Sequence, residues 1–300
     1  MKVIDLRCKC IHRPSTMKRH VVPKQRSFWT ITSYKLCHCW IMFCGIFRKG
    51  IRHWCNLFSS STRLAAGACG YGPLALRFNG GYLAAGDASL FKNGAGCGTC
   101  LQVRCKESLL CTTVGTKVIL TDRNISNNTG LVLSRRAFAS MAKEGMEQSL
   151  FTFGIVDLEY KRIPCNYKHR NLTLMVRDFS IFPNYLAIKV LYQGGQTEIL
   201  GIDVAQVGAY NWVYLTRNYG VVWDTSSTPP GPLQFRFTVT DGYDGSFVLA
   251  KNALPADWNH PGVLYDTGVQ ITSIAQESCA HCDNGWNKPP TPYLRETKHI

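Results

Sequence analysis

No run of about twenty clean apolar residues occurs in the chain, the length that a membrane-spanning helix requires. The longest apolar stretch, Phe28 to Phe47, is interrupted by Lys35 and His38. Charged residues make up only 18% of the sequence against 45% hydrophobic, which excludes bulk disorder, collagen-like repeats and coiled coils. There is no phosphate loop, dinucleotide fingerprint, nucleic-acid motif or internal repeat. Beyond residue 50 the histidines are His53, His169, His260, His281 and His299, and none completes a metal-ligand set or a Cys/His nucleophile pair. No metal, cofactor or nucleic acid is therefore expected. What remains is a mostly globular chain of 300 residues, enough for about two domains.

Acidic residues are nearly missing from the first 60 positions, which hold one, Asp5, beside twelve Lys/Arg. That segment carries +11 of the formal +15, so the rest is only mildly basic. The segment also lacks the short basic start and continuous apolar core of an ordinary secretory signal. Two readings stay open for residues 1–55: an uncleaved anchor, or a mis-assigned first exon standing where a signal peptide belongs. The second is favoured because no helical or strand period is sustained there.

Cysteines, in contrast, are plentiful. Six of the fourteen, Cys69, Cys97, Cys100, Cys105, Cys111 and Cys165, fall within about 100 residues. An even number in a turn-rich segment reads as a disulfide framework and an oxidising compartment, with 15 connectivities open. Zinc is the competing reading for Cys97-Gly-Thr-Cys100, but no second pair of ligands follows nearby. Sequons at Asn124, Asn127 and Asn171 fit the same compartment.

From residue 64 onward the signals are mostly β. Period-two alternation marks Val156-Leu158-Tyr160, Leu172-Leu174-Val176, Leu186-Ile188-Val190 and Leu233-Phe235-Phe237-Val239. One helix is predicted over Ser134 to Lys143, capped by Ser134 and closed by Gly145. The polar run 166–171 reads as a linker, giving 56–167 and 168–265 as the two domains and 266–300 as an extension with Cys279 and Cys282.

Gly67-Ala-Cys-Gly-Tyr-Gly72, Gly94-Ala-Gly-Cys-Gly-Thr-Cys100, Val118-Ile-Leu-Thr-Asp122, Leu131-Val-Leu-Ser134 and Tyr160-Lys-Arg-Ile-Pro-Cys165 resemble plant expansins. The distal blocks Tyr192-Gln-Gly-Gly-Gln-Thr-Glu198, Gly231-Pro-Leu-Gln-Phe-Arg-Phe237 and Asp266-Thr-Gly-Val-Gln-Ile-Thr272 are similar to the expansin-like A branch. The resemblance implies an all-β chain: a six-stranded double-psi β-barrel, similar to family-45 glycoside hydrolases, then an immunoglobulin-like β-sandwich of the cellulose-binding type. It implies the pairs Cys69 with Cys97, Cys100 with Cys165, and Cys105 with Cys111. It also implies a secreted protein of the plant cell wall with cellulose, xyloglucan or a related glucan as partner; the oligomeric state is open, with a monomer as the default.

Hydrolysis with inversion needs two carboxyl groups, one acid and one base. Where expansins typically read His-Phe-Asp-Leu-Ser, this chain has Val132 at the Asp, and valine transfers no proton. The groove that the resemblance implies consists of Asp122, Thr121 and Tyr71 as polysaccharide contacts, with no catalytic residue. Asp122 as a turn cap and Tyr71 as a barrel-packing residue are the competing readings. On the second domain the resemblance puts Tyr185 and Trp212 on a planar platform, with Tyr219 and Trp223 nearby, since pyranose C–H faces stack on aromatic rings. A wall-binding or defence-type module without loosening activity, or a weak glucanase using Asp122, are the alternative functions.

Overall fold

The alternating segments become strands of two bodies in the computed structural model, which describes residues 53–58, 61–125, 130–241 and 245–275. Residues 1–52, Asn127, Cys279 and Cys282 lie outside the described residues. The first body contains β1 (His53–Phe58), β2 (Leu83–Gly86), β3 (Cys100–Cys105), β4 (Thr116–Arg123), β5 (Leu131–Ser134) and β6 (Ile155–Ile163). They close as a barrel in the order β1-β5-β2-β4-β3-β6, with parallel pairs β1/β5 and β2/β4.

The second body contains β7 (Thr173–Val176), β8 (Leu186–Leu191), β9 (Ile199–Gln206), β10 (Val213–Tyr219), β11 (Val222–Thr225), β12 (Leu233–Val239), β13 (Ser246–Leu254) and β14 (Leu264–Asp266). Their hydrogen-bonded order is β13-β12-β9-β10-β11-β8-β7-β14. Strand β10 pairs with β9 through Val213–Leu215 and with β11 from Thr216 onward, so it passes from one layer of the sandwich to the other. Leu174, Ile188, Trp223, Phe235 and Phe237 fill the core between the layers. Among the described residues no helix is long and apolar enough to cross a membrane.

Three disulfides join Cys69 to Cys97, Cys100 to Cys165 and Cys105 to Cys111, the pairs that the resemblance implies. Other expectations need correcting. The helix covers only Arg135–Ala139; Ser134 does cap it, accepting from the Ala137 amide, but Gly145 sits in a later turn. The ordered body also extends past the expected limits of 56 and 265. Strand β1 starts at His53 because it fills the barrel gap between β5 and β6, and Ile271 is buried in the sandwich core while Ile274 bridges to Gln196.

Alternation implies one wet face for each strand, yet β7 and β8 are buried on both. Leu174, Ile188 and Val190 face the sandwich core, whereas Met175 and Leu191 join the barrel core. Lys189, 4% exposed, lies on that second face and donates from Nζ to the Tyr71 carbonyl at 3.3 Å. Burial, with the Arg177 charge, lowers its ammonium pKa to about 8.

Polar groups fasten the same junction. Glu198 of the sandwich pairs with Lys92 and Arg162 of the barrel. Cys165 and Gly195 exchange two backbone hydrogen bonds, and the Val221 amide donates to the Cys69 carbonyl. Gly220, at φ +49°, lies so close that a Cβ there would be 2.4 Å from the Cys69 oxygen. A buried strand and paired polar groups of this kind oppose a hinge between the bodies.

Candidate functional site

Asp122 stands near the end of β4, where the strand leaves the barrel. Its Oδ1 accepts from the Ala68 and Arg123 amides, each at 2.7 Å. The carboxylate thus anchors the 67–70 loop, and Gly67 makes the approach feasible, since a Cβ there would lie 2.3 Å from the Asp122 Cγ. Burial raises the Asp122 pKa, opposed by the two amides. Ionised Asp122 is thus disfavoured in the fold. The stability from its raised pKa is complete below the unfolded value, roughly 3.9, and is lost as pH rises through the folded value. Asp122→Asn is accordingly expected to match the parent near pH 3 and to exceed it at pH 7. Urea midpoints at both pH values check this, and a variant weaker at pH 7 would contradict it.

The other two groove residues are not at the surface. Thr121 is fully buried, and its Oγ1 has no hydrogen-bond partner among the described residues. Tyr71 is also buried, its ring edge-on to Phe78 at 4.8 Å, so the packing reading holds for it. A side chain below the surface cannot touch a polymer, and of the three only Asp122 is partly open.

On the sandwich, Trp223 is 1% exposed and faces the core opposite Ile188, which removes it from any platform. Tyr219, 40% exposed, is better placed than a nearby candidate. Its ring lies over Gly70 of the barrel loop, where an added Cβ would meet Tyr219 Cε2 at 2.5 Å. Tyr185 is half-buried; its hydroxyl donates to Asp224 Oδ2 at 3.0 Å, and Asn218 Nδ2 donates to the same oxygen. Through the pairs Tyr219/Val222, Val222/Lys189 and Asp224/Ala187, Tyr219, Asp224 and Tyr185 share one sheet face. That face continues to Gly70, in the loop held by Asp122.

Trp212 is half-buried, with the Arg236 guanidinium 4.7 Å from its ring centroid. Arg236 is itself paired with Asp203 at 3.0 Å, so one ring face is covered. Two further aromatics escape the sequence reading. Phe179 lies 6.4 Å from the Tyr185 ring, and Tyr214, 57% exposed, is two residues after Trp212. The period-two spacing from Trp212 is the signal that reveals Tyr214.

Of the sequons, Asn124 is buried, with its backbone amide bound to the Gly86 carbonyl. Asn171 Nδ2 donates to Asp266 at 3.0 Å. Val132 is buried in the barrel core. Among the described residues no cluster of three or more His, Cys, Asp or Glu could hold a metal.

Comparison with known proteins agrees with this architecture. Residues 172–255 match the family model of the expansin C-terminal domain, and residues 83–160 match the model described as lytic transglycolase. Expansin-like A3 of Arabidopsis thaliana is 56% identical over 234 residues, covering 77% of this chain and 89% of the relative. Expansin-like A1 of the same plant is 53% identical over 234 residues, covering 77% and 88%. Among solved structures, apo Clavibacter michiganensis expansin superposes with TM-score 0.55 at 22% identity, covering 72% of this chain and 95% of that one. A mutant of the Clavibacter protein in complex with cellohexaose superposes with TM-score 0.54 at 21% identity, covering 75% and 98%. With both domains matched in order and more than half of the aligned residues identical to a curated relative, the chain belongs to the expansin family, in its expansin-like A branch.

Proposed function

We propose that this protein is secreted to the plant cell wall, where it binds a β-linked glucan without hydrolysing it. The observation that carries this reading is the single face on which Tyr219 joins the Asp122 loop to Tyr185. Exposed rings supply stacking surfaces for pyranose C–H faces, and Asp224, Asn218 and the second oxygen of Asp122 supply polar partners for hydroxyls. The cellohexaose complex of the Clavibacter mutant supports a glucan as ligand. Three disulfides support an oxidising compartment.

Absence of hydrolysis rests on Val132, which stands at the expansin acid position and lies buried. The Asp122 carboxyl already accepts from the Ala68 and Arg123 amides, which gives it a structural task in holding the 67–70 loop. Any loosening of the wall would act by competing for stacked and hydrogen-bonded contacts between glucan chains.

Tyr185→Ala combined with Tyr219→Ala is expected to weaken cellulose retention by about tenfold to a hundredfold, the scale of two aromatic contacts. Trp212→Ala should change it less, because Trp212 adjoins the Val213–Leu215 stretch that pairs with β9, in the other layer from Tyr185 and Tyr219. Pull-down isotherms on cellulose measure both, and full retention by the double variant would refute the platform. Creep of a heat-inactivated wall strip, assayed beside reducing-sugar release, tests loosening separately.

A further inference from the structure

Away from this face, at the β14 edge of the sandwich, an open cleft of about 480 Å³ is lined by Lys168, His169, Arg170, Asn171, Tyr192 and Asp266, among others. Its volume is in the range that accommodates a small ligand. We propose that this cleft is a second saccharide site, specific for a sugar that carries a carboxylate, such as a uronate.

Charge is the first reason. Lys168, His169 and Arg170 are consecutive and exposed, and among the described residues none of them forms an ion pair. Asp266 is the one acid in the lining, so the two permanent cations leave the cleft net positive. Cations without a carboxylate partner around a concave surface favour an anion, and arginine suits a planar carboxylate.

Rigidity is the second reason. The Arg170 guanidinium lies 4.8 Å from the Tyr192 ring centroid, which restricts the long side chain. Gln270 Nε2 donates to both the Arg170 and Tyr192 carbonyls, while its Oε1 accepts from the Gly194 and Ile271 amides. The cleft wall is therefore built before any ligand arrives.

Asp266 points to a sugar rather than to a bare anion. Its Oδ1 already accepts from Asn171 Nδ2 and the Gly268 amide, each within about 3 Å. A carboxylate held there repels a small anion such as phosphate, yet accepts hydrogen bonds from sugar hydroxyls. A uronate presents both groups, its carboxylate to the cations and its hydroxyls to Asp266.

Calorimetric titration of the full chain with trigalacturonate tests the proposal, with its methyl ester and inorganic phosphate as comparison probes. Lys168→Ala with Arg170→Ala is expected to weaken trigalacturonate binding at least about tenfold, since two charge-assisted hydrogen bonds are removed. Lys106→Ala with Lys251→Ala, which removes the same charge elsewhere, should leave it unchanged, and cellulose retention should be unchanged in both. Equal weakening in the two double variants would show general charge attraction and overturn the proposal. So would equal affinity for the methyl ester, full competition by phosphate, no binding by the parent, or a glycan found on Asn171 by mass spectrometry. Loss of cellulose retention alone bears on the aromatic platform and not on this cleft.

Discussion

Arg217→Ala is expected to lower unfolding stability by about 3–5 kcal/mol, because it leaves buried carbonyls unpaired and removes a cation from the face of an indole ring. The guanidinium donates to the Gly94 carbonyl of the barrel and to the Gly220 and Ile199 carbonyls of the sandwich. It also lies 4.0 Å from the Trp223 ring centroid. Burial lowers its pKa to about 10, so it remains charged at neutral pH. Arg217→Lys should recover only part of the deficit, because one ammonium cannot reproduce the planar fork that reaches three carbonyls. Urea denaturation measures both variants. A change below about 1 kcal/mol in the alanine variant would mean that the carbonyls find water and that the junction does not depend on this side chain.

The second large effect concerns the disulfides. Cys100–Cys165 closes a separation of 65 residues, whereas Cys105–Cys111 closes 6. If the bridges act by restricting the unfolded chain, replacing Cys100 and Cys165 by serine should cost about 4 kcal/mol. That is about 2 kcal/mol more than the same change at Cys105 and Cys111, since the effect grows with the logarithm of loop length. Equal destabilisation by the two double variants, measured by denaturation under oxidising conditions, would show that loop length is not the controlling quantity.

Much of the fold is legible in the sequence because its signals are local. Alternation places the Leu233–Val239 strand correctly, and the Ser134 cap follows from one hydroxyl and the amide three residues on. Packing across the two bodies is not legible. Nothing local in Leu186–Leu191 distinguishes a strand with a wet face from one whose second face meets a barrel, and Lys189 within it suggests water. The candidate site divides in the same way. Asp122 and Tyr185 are supplied by the family resemblance, but Tyr219 takes its position from Gly70, which is remote in sequence and in the other body. Trp223 eludes the sequence reading because an aromatic residue in a strand faces the core or the solvent according to register, and register is set by the partner strand.

Strand β8, covered on both sides, has a consequence for polymer choice. Because it packs into both cores, it opposes movement of the Asp122 loop relative to the Tyr185 ring. A junction that resists bending leaves the polymer to conform to the protein. A chain already straight and flat meets both ends of the face at once, whereas a coiled or branched one must first give up conformational freedom, and its affinity falls by that entropy. On the proposed binding face, discrimination between wall polymers would then follow the stiffness of the ligand, before any hydroxyl is recognised.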